Sequence, residues 1–170
     1  MEDANIEYKL DIPKNEKDFK AEIVSFLNTK GGEIFLGVND DGKLNQEIAD
    51  SKKKKWEETL SNWIFNAFSP DVTNLISIYP NENPFRIKIL EGKKKPYFYK
   101  NGEGFNGRGV YIRIESTKRL ATSNQVERMI KSRDASDFET ISIGRTDLTF
   151  EYLKKRYKEK GINFNKKLCP

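Results

Sequence analysis

The sequence predicts an α+β fold with a mixed β-sheet of about five to six strands and helices packed on it. Two observations predict this class. Short segments with strand-like apolar patterns alternate with longer segments whose apolar residues recur at helical spacing. The resulting order is β, α, β, α, several β, α, α. Strands separated by helices and strands that follow one another directly both occur, which predicts parallel and antiparallel pairs.

The first strand and helix occupy the N-terminal region. Residues 5–10 predict a short strand that ends before Pro13. Asn15 can cap a helix, and acidic residues follow it in the first turn, where the helix dipole favours them. One face of this helix is apolar and comprises Phe19, Ile23, Phe26 and Leu27. Gly31 and Gly32 are expected to end the helix.

A buried strand and a second helix come next. Glu33–Val38 is apolar on both faces, which is typical of a central strand. The helix is predicted from Lys52 to Phe68. Its apolar stripe contains Trp56, Leu60, Trp63, Ile64, Ala67 and Phe68.

The remaining strands are predicted near residues 72–79, 85–90, 96–100 and 109–115, followed by helices near 122–133 and 148–160. Two of these strands alternate between apolar and polar residues, which predicts one buried and one solvent-exposed face. The predicted buried residues are Phe85, Ile87, Ile89, Val110, Ile112 and Ile114. The predicted exposed residues are Arg86, Lys88, Tyr111 and Arg113.

Composition excludes several kinds of catalytic site. The chain of 170 residues contains no histidine and one cysteine, Cys169. Ser-His-Asp and Cys-His catalysis and histidine-ligated zinc are therefore excluded. A hydrolase of this composition would depend on carboxylates that hold Mg²⁺ or Mn²⁺. The polar, acidic start and the lack of a long apolar segment predict a cytoplasmic protein without a membrane span.

The charges are distributed unevenly. Residues 1–50 contain 12 acidic residues and 6 lysines, whereas residues 51–170 contain 25 basic and 14 acidic residues. A basic body with an acidic N-terminal part suits a protein that binds a polyanion and has a local carboxylate site. A lysine-rich, solvated surface is the alternative interpretation.

Three acidic residues flank or lie in predicted strands: Glu2, Glu7 and Asp40. If the first strand pairs with the central one, Glu7 and Asp40 can converge at one edge of the sheet. Like charges repel, so a cluster of three would imply a bound divalent cation. The alternative is that these are terminal and turn residues in water.

Gly37–Lys43 matches the spacing of a phosphate-binding loop. However, Leu44 stands where Ser or Thr would hold magnesium, and two aspartates within the loop would repel phosphate. A tight turn after a strand is therefore the favoured interpretation.

Basic and aromatic residues are expected to share the exposed side of the late strands. Cations bind phosphates and aromatic rings stack on bases, so this pattern suits single-stranded nucleic acid. The candidate contacts are Lys52, Lys53, Arg86, Lys88, Lys93, Lys94, Tyr111, Arg113, Lys118 and Arg119. A solvated charged face is again the alternative.

Three segments together resemble the Schlafen AlbA-type domain. The first is Ile6–Lys9 (IEYK), the second is residues 23–42 (IVSFLNTKGGEIFLGVNDDG), and the third joins Pro96–Lys100 to Val110–Thr117. The domain occurs in Schlafen proteins and in bacterial proteins described as transcriptional regulators, divergent ATPases or RecG-related helicases. The resemblance implies this domain over residues 1–135. We expect residues 136–170 to be a helical extension leading into a missing C-terminal region.

The resemblance implies nucleic-acid binding, to DNA or RNA, and favours the binding domain of a transcriptional regulator. In nuclease-active Schlafens it also implies a metal-dependent endoribonuclease site. The matching positions here are Glu2, Glu7 and Asp40, with Lys9 beside them and Arg113 on the late strand; Tyr8 replaces the usual Phe. The nuclease, using Mg²⁺ or Mn²⁺, is the first alternative function and ATP binding is the second. A homodimer is expected by analogy.

Overall fold

The computed structural model describes residues 4–100 and 109–140, with side chains up to residue 134. The chain divides into two compact units, residues 1–135 and residues 136–170. All the elements described below belong to the first unit, except that the last helix continues past its end. The predicted helix near 148–160 lies outside the described residues. Within the described ranges, no helix combines the length and the apolar character needed to cross a membrane.

The α+β class is confirmed. The described helices are α1 (Glu16–Leu27), α2 (Gln46–Asn66) and α3 (Ser123–Thr140). The described strands are β1 (Ile6–Lys9), β2 (Gly32–Leu36), β3 (Phe68–Ser69), β4 (Ile76–Tyr79), β5 (Phe85–Ile89), β6 (Phe98–Tyr99), β7 (Tyr111–Ile114) and β8 (Thr117–Leu120).

The main sheet is mixed, as predicted, and has four strands in the order β1-β2-β5-β4. β1 and β2 are parallel, whereas β5 is antiparallel to both of its neighbours, β2 and β4. The other described strands form two antiparallel pairs, β3 with β6 and β7 with β8. The parallel β1–β2 pair is possible because α1 provides the crossover between them.

The apolar side of the main sheet, called the inner face, packs against α1 and α2. Its buried residues are Ile34, Leu36, Phe85, Ile87 and Ile89. Ring contact between Trp56 of α2 and Phe85, with centroids 5.7 Å apart, is one of the contacts that joins helix to sheet. The residues of the predicted apolar faces lie in or against the core, although Phe68 belongs to β3. The two helices supply ten of the twenty buried residues of the described core.

Helix α1 is the central element of the unit. Every residue from Ala21 to Asn28 is buried, because the helix contacts β5 on one side and β6, β7 and β8 on another. An amphipathic surface helix would leave one face in water. Here the polar residues Glu22 and Ser25 of α1 are buried too, and each needs a partner.

Helix α2 begins at Gln46, six residues before its predicted start at Lys52. Asn45 caps it, accepting a hydrogen bond from the backbone N–H of Ile48 at 3.1 Å. Glu47 occupies the first turn, where the dipole favours an acid. The prediction missed this start because the first turns contain few apolar residues. The run Lys52–Lys55 consequently lies inside the helix, away from its positive end.

Strand β7 is covered on both sides, contrary to the predicted single exposed face. Val110 and Ile112 pack into a second apolar cluster with Ala121 and Val126, as their alternation predicted. The opposite side faces α1, so Arg113 is buried. Ile114 at the strand end is 55% exposed, so the prediction of a buried Ile114 is wrong.

The Asn-Thr-x-Gly-Gly segment after α1 has a structural role. The buried Asn28 side chain donates to the carbonyls of Tyr97 and Tyr111, both at 2.9 Å, and accepts from the Tyr97 N–H at 2.7 Å. Gly31 has φ +72°, and a Cβ there would lie 2.5 Å from the carbonyl oxygen of Ile89. The segment thus joins α1, β5 and the late strands.

We predict that Asn28→Ala destabilises the fold by about 3 kcal/mol, because two carbonyls and one N–H would lose their buried partner. Urea unfolding followed by circular dichroism measures the effect. Asn62→Ala, at an exposed position of α2, is the matched control and should change stability by less than about 0.5 kcal/mol. Equal stability of the two variants would contradict the assigned role of Asn28.

Candidate functional site

Glu7 lies in β1 and points to the inner face, opposite Ile34 in the parallel register. Its side chain is buried, and both carboxylate oxygens are engaged. Lys9 Nζ donates to Oε1, and Arg113 Nη2 donates to Oε2 at 2.7 Å. The acid that the resemblance assigns to catalysis is therefore held between two cations, and the first strand supplies one of them.

Arg113 connects three separate parts of the chain. Besides Glu7, it donates through Nε to the carbonyl of Ala4 at 2.9 Å and through Nη1 to Glu22 on α1. The guanidinium lies 4.4 Å from the centre of the Phe26 ring. Its predicted exposure is wrong, because α1 covers this side of β7. Arginine presents a fork of donors, so one side chain can satisfy both acids.

Glu22 has a second cation in Lys118 of β8. Lys118 Nζ lies 3.1 Å from Glu22 Oε2 and 2.7 Å from Asp18 Oδ1. Partial burial would lower the pKa of Lys118, but the ion pairs with Asp18 and Glu22 outweigh it and raise that pKa. Glu7, Glu22, Arg113 and Lys118 are called the buried ion cluster below. Arg113 and Lys118, both predicted to contact nucleic acid, thus form ion pairs with acidic residues of the chain itself.

Asp40, another acid of the predicted metal site, is not part of this cluster. Asp40 is exposed in the turn after β2, and Glu2 lies outside the described residues. No group of three or more acidic, cysteine or histidine residues in the described ranges could hold a metal ion. Glu7 already forms ion pairs with Lys9 and Arg113. The metal site through Glu2, Glu7 and Asp40 stays a prediction.

The loop with phosphate-binding spacing is a tight turn. Val38 and Leu44 form an antiparallel bridge across it. Backbone N–H groups of Asn39, Gly42 and Asn45 bond to backbone carbonyls, and that of Lys43 bonds to the Asp41 carboxylate at 3.1 Å. These donors are therefore not directed at a phosphate, which argues against the ATP-binding alternative at this loop.

The side of the main sheet opposite the inner face, called the outer face, carries a row of flat side chains. The strand register places Tyr8, Phe35, Arg86 and Tyr79 next to one another, one from each strand. All four are half-buried, and the apolar core described above does not include them. The rings of Tyr8 and Phe35 are 5.9 Å apart, and the Arg86 guanidinium lies 4.0 Å from the Tyr79 ring centre.

Arg86 lies on the outer face as predicted, but it is half-buried and paired. Its guanidinium donates to Glu82 through Nε at 2.6 Å and to Glu33 through Nη1 at 2.8 Å. Donation to the carboxylates, to Glu82 first and then to Glu33, raises the pKa of Arg86 above its ordinary value. The pairing fixes the guanidinium plane and gives both acids on this side of the sheet a cationic partner.

Lys88 differs from Arg86 in being free among the described residues. It is exposed in the adjacent row of the outer face, opposite Glu33. It lines a groove of about 460 Å³ together with Lys30, which is also exposed and forms no ion pair within the described ranges. Two cations at one rim are thus available to a ligand.

The other predicted contacts fall into three groups. Lys93, Lys94 and Arg119 are exposed, and Lys53 is half-buried; none forms an ion pair within the described part of the chain. Lys52 pairs with Asp11, which also accepts from Trp56 Nε1 at 2.7 Å. Partial burial would raise the pKa of Asp11, but the hydrogen bonds from Lys52 and Trp56 outweigh this effect and lower that pKa. Tyr111 packs on the core and stacks on Tyr99, with centroids 6.3 Å apart, so its predicted exposure is wrong.

The family model for Schlafen, AlbA_2 matches residues 2–122. The chain belongs to this family. No curated protein matches the sequence. Family membership confirms the resemblance seen in the sequence. It indicates that the first unit is a nucleic-acid-related domain.

Within this Schlafen AlbA_2 domain, two functional features were missed by sequence reasoning. Glu22 was not singled out, because its burial depends on the strands that cover the helix. Tyr8, Phe35 and Tyr79 form a row only when the strand register is known. The alternation of Tyr8 with the buried Glu7, and of Phe35 with Ile34 and Leu36, was the available signal.

We predict that Arg113→Met lowers the free energy of unfolding by about 3–5 kcal/mol, because Glu7 and Glu22 would be left buried without that partner. Guanidinium-induced unfolding at neutral pH is the measurement. Arg119→Met, an exposed change on the neighbouring strand, should alter stability by less than about 0.5 kcal/mol. A loss below about 1 kcal/mol in Arg113→Met would show that the buried ion cluster does not hold the sheets together.

Proposed function

We propose that this Schlafen AlbA_2 domain binds nucleic acid through the outer face of its main sheet. The observation that carries the proposal is a pair of cations, Lys30 and Lys88, that form no ion pair with the described residues and lie beside a half-buried row of flat side chains. Family membership supports the ligand class. The resemblance to bacterial regulators supports a role as the binding domain of a transcriptional regulator.

The internal ion pairs support the choice of surface. Arg113, Lys118 and Lys52 are neutralised by acids of the chain, so binding a phosphate would cost each of them a partner. At the outer face the acids Glu33 and Glu82 instead pair with Arg86, which leaves the charges of Lys30 and Lys88 uncompensated among the described residues. Phosphate contacts of Lys30 and Lys88 position a backbone but carry no sequence information. We therefore expect binding with little sequence preference.

We predict that the double variant Lys30→Gln and Lys88→Gln weakens binding to mixed-sequence RNA and DNA by about threefold to tenfold. Each lost phosphate contact should also lower the slope of log affinity against log salt by about one. Fluorescence anisotropy at several salt concentrations measures both quantities.

The matched control is Lys54→Gln with Lys55→Gln, which removes the same charge from exposed positions of α2. We expect it to retain most of the affinity and salt slope. Equal losses in the two double variants would mean that net charge alone drives binding, and the outer face would not be the interface.

The endoribonuclease hypothesis makes a different prediction. It requires that Mn²⁺ promote RNA cleavage and that Asp40→Asn abolish cleavage without abolishing binding. Because Glu7 is held by Arg113 and Lys9, we expect the domain to bind RNA and leave it intact.

Incubation of labelled RNA with the chain and Mn²⁺, against an EDTA control, distinguishes the two functions on a denaturing gel. Cleavage that depends on Mn²⁺ and is lost in Asp40→Asn would establish the nuclease instead.

A further inference from the structure

We infer that the outer face is a stacking platform for unpaired bases, so that the preferred ligand is single-stranded nucleic acid. The inference rests on the proposed function and specifies its ligand. It is carried by the row Tyr8–Phe35–Arg86–Tyr79, called the aromatic row below.

The geometry of the aromatic row suits bases. Neighbouring strands in a sheet are about 4.8 Å apart, so four adjacent positions span about 14 Å. Flat groups on a sheet surface can stack two or three splayed bases, and an arginine plane serves as well as a ring. The Tyr8 and Phe35 rings are tilted by 40° to each other, and Arg86 is held in place by two carboxylates. Little ordering of the protein would be needed on binding.

The charge arrangement favours a nucleic acid over an apolar partner. Beside the row, Lys88 and Lys30 are exposed and unpaired among the described residues, and they line one groove. The acids Glu33 and Glu82 both pair with Arg86, and together with Lys30 and Lys88 three cations face these two acids. An anionic backbone running along the lysines would place its bases over the rings. A second copy of the same face would instead bring Lys88 and Arg86 against like charges.

Duplexes are disfavoured by the same geometry. Their bases are stacked on one another, so a duplex could contact the lysines but not the rings. Single strands gain both contacts, and base stacking on an aromatic side chain contributes about fivefold or more in affinity. The platform therefore predicts preference for single strands.

The test compares binding of a short single-stranded RNA and a hairpin duplex to the full chain, by fluorescence anisotropy at fixed salt. Phe35→Leu and Tyr8→Leu keep an apolar side chain but remove the ring, and each should weaken single-strand binding by about fivefold or more. Duplex binding should be unchanged. Tyr8→Phe and Phe35→Tyr keep the rings and should retain wild-type affinity, which separates loss of stacking from misfolding.

Phe65→Leu is the matched control, since Phe65 is 76% exposed on α2, a helix that packs on the inner face. It should leave both affinities unchanged. If wild-type protein binds neither ligand, the proposed function itself fails. If it binds both and the leucine variants match wild type, the platform is overturned while the function stands. A dimer that dissociates in Phe35→Leu, seen by sedimentation, would show that a second copy covers the row and would also overturn the inference.

Discussion

The whole arrangement depends on Arg113, whose guanidinium donates to two different buried carboxylates. It neutralises Glu7 of β1 and Glu22 of α1, both of them buried, and its third donor holds the carbonyl of Ala4. Burying two carboxylates is costly unless each has a cation and further hydrogen bonds. Lys9 and Lys118 supply the additional positive charges. The late β7–β8 pair is therefore joined to β1 and α1 by ion pairs.

The two sides of the main sheet differ in how their charged residues are paired. On the inner face, Glu7 of β1 forms ion pairs with Lys9 and Arg113. The apolar residues of this face belong to the core. On the outer face, Glu33 and Glu82 pair with Arg86, whose guanidinium lies against the Tyr79 ring. Lys30 and Lys88 have no ion-pair partner among the described residues. On both faces, ion pairs within the chain compensate the acidic residues. We infer that the inner face is part of the core, whereas the outer face, with its two lysines, suits a polyanion.

Periodicity predicted the α+β class, the apolar faces of α1 and α2, and the inner residues of β5 because each depends on neighbours in sequence. It failed for Arg113 because alternation assumes one wet face, whereas β7 is covered by α1 on one side and by Val126 of α3 on the other. It also failed for the start of α2, where polar residues follow Asn45. The aromatic row could not be predicted, since it requires the register of strands far apart in sequence. The metal-site role of Glu2, Glu7 and Asp40 was inferred from the predicted pairing of their strands and from family resemblance, and it stays a prediction.

Ultraviolet cross-linking of the full chain to a uridine-rich single strand, with the modified residue identified by mass spectrometry, tests the account most directly. A base stacked on a ring is well placed for such a cross-link. We predict adducts on Tyr8, Phe35 or Tyr79, with none in the turn that contains Asp40. Adducts confined to that turn or to β7, with the outer face unmodified, would contradict the central claim that this domain binds nucleic acid through the outer face of its sheet.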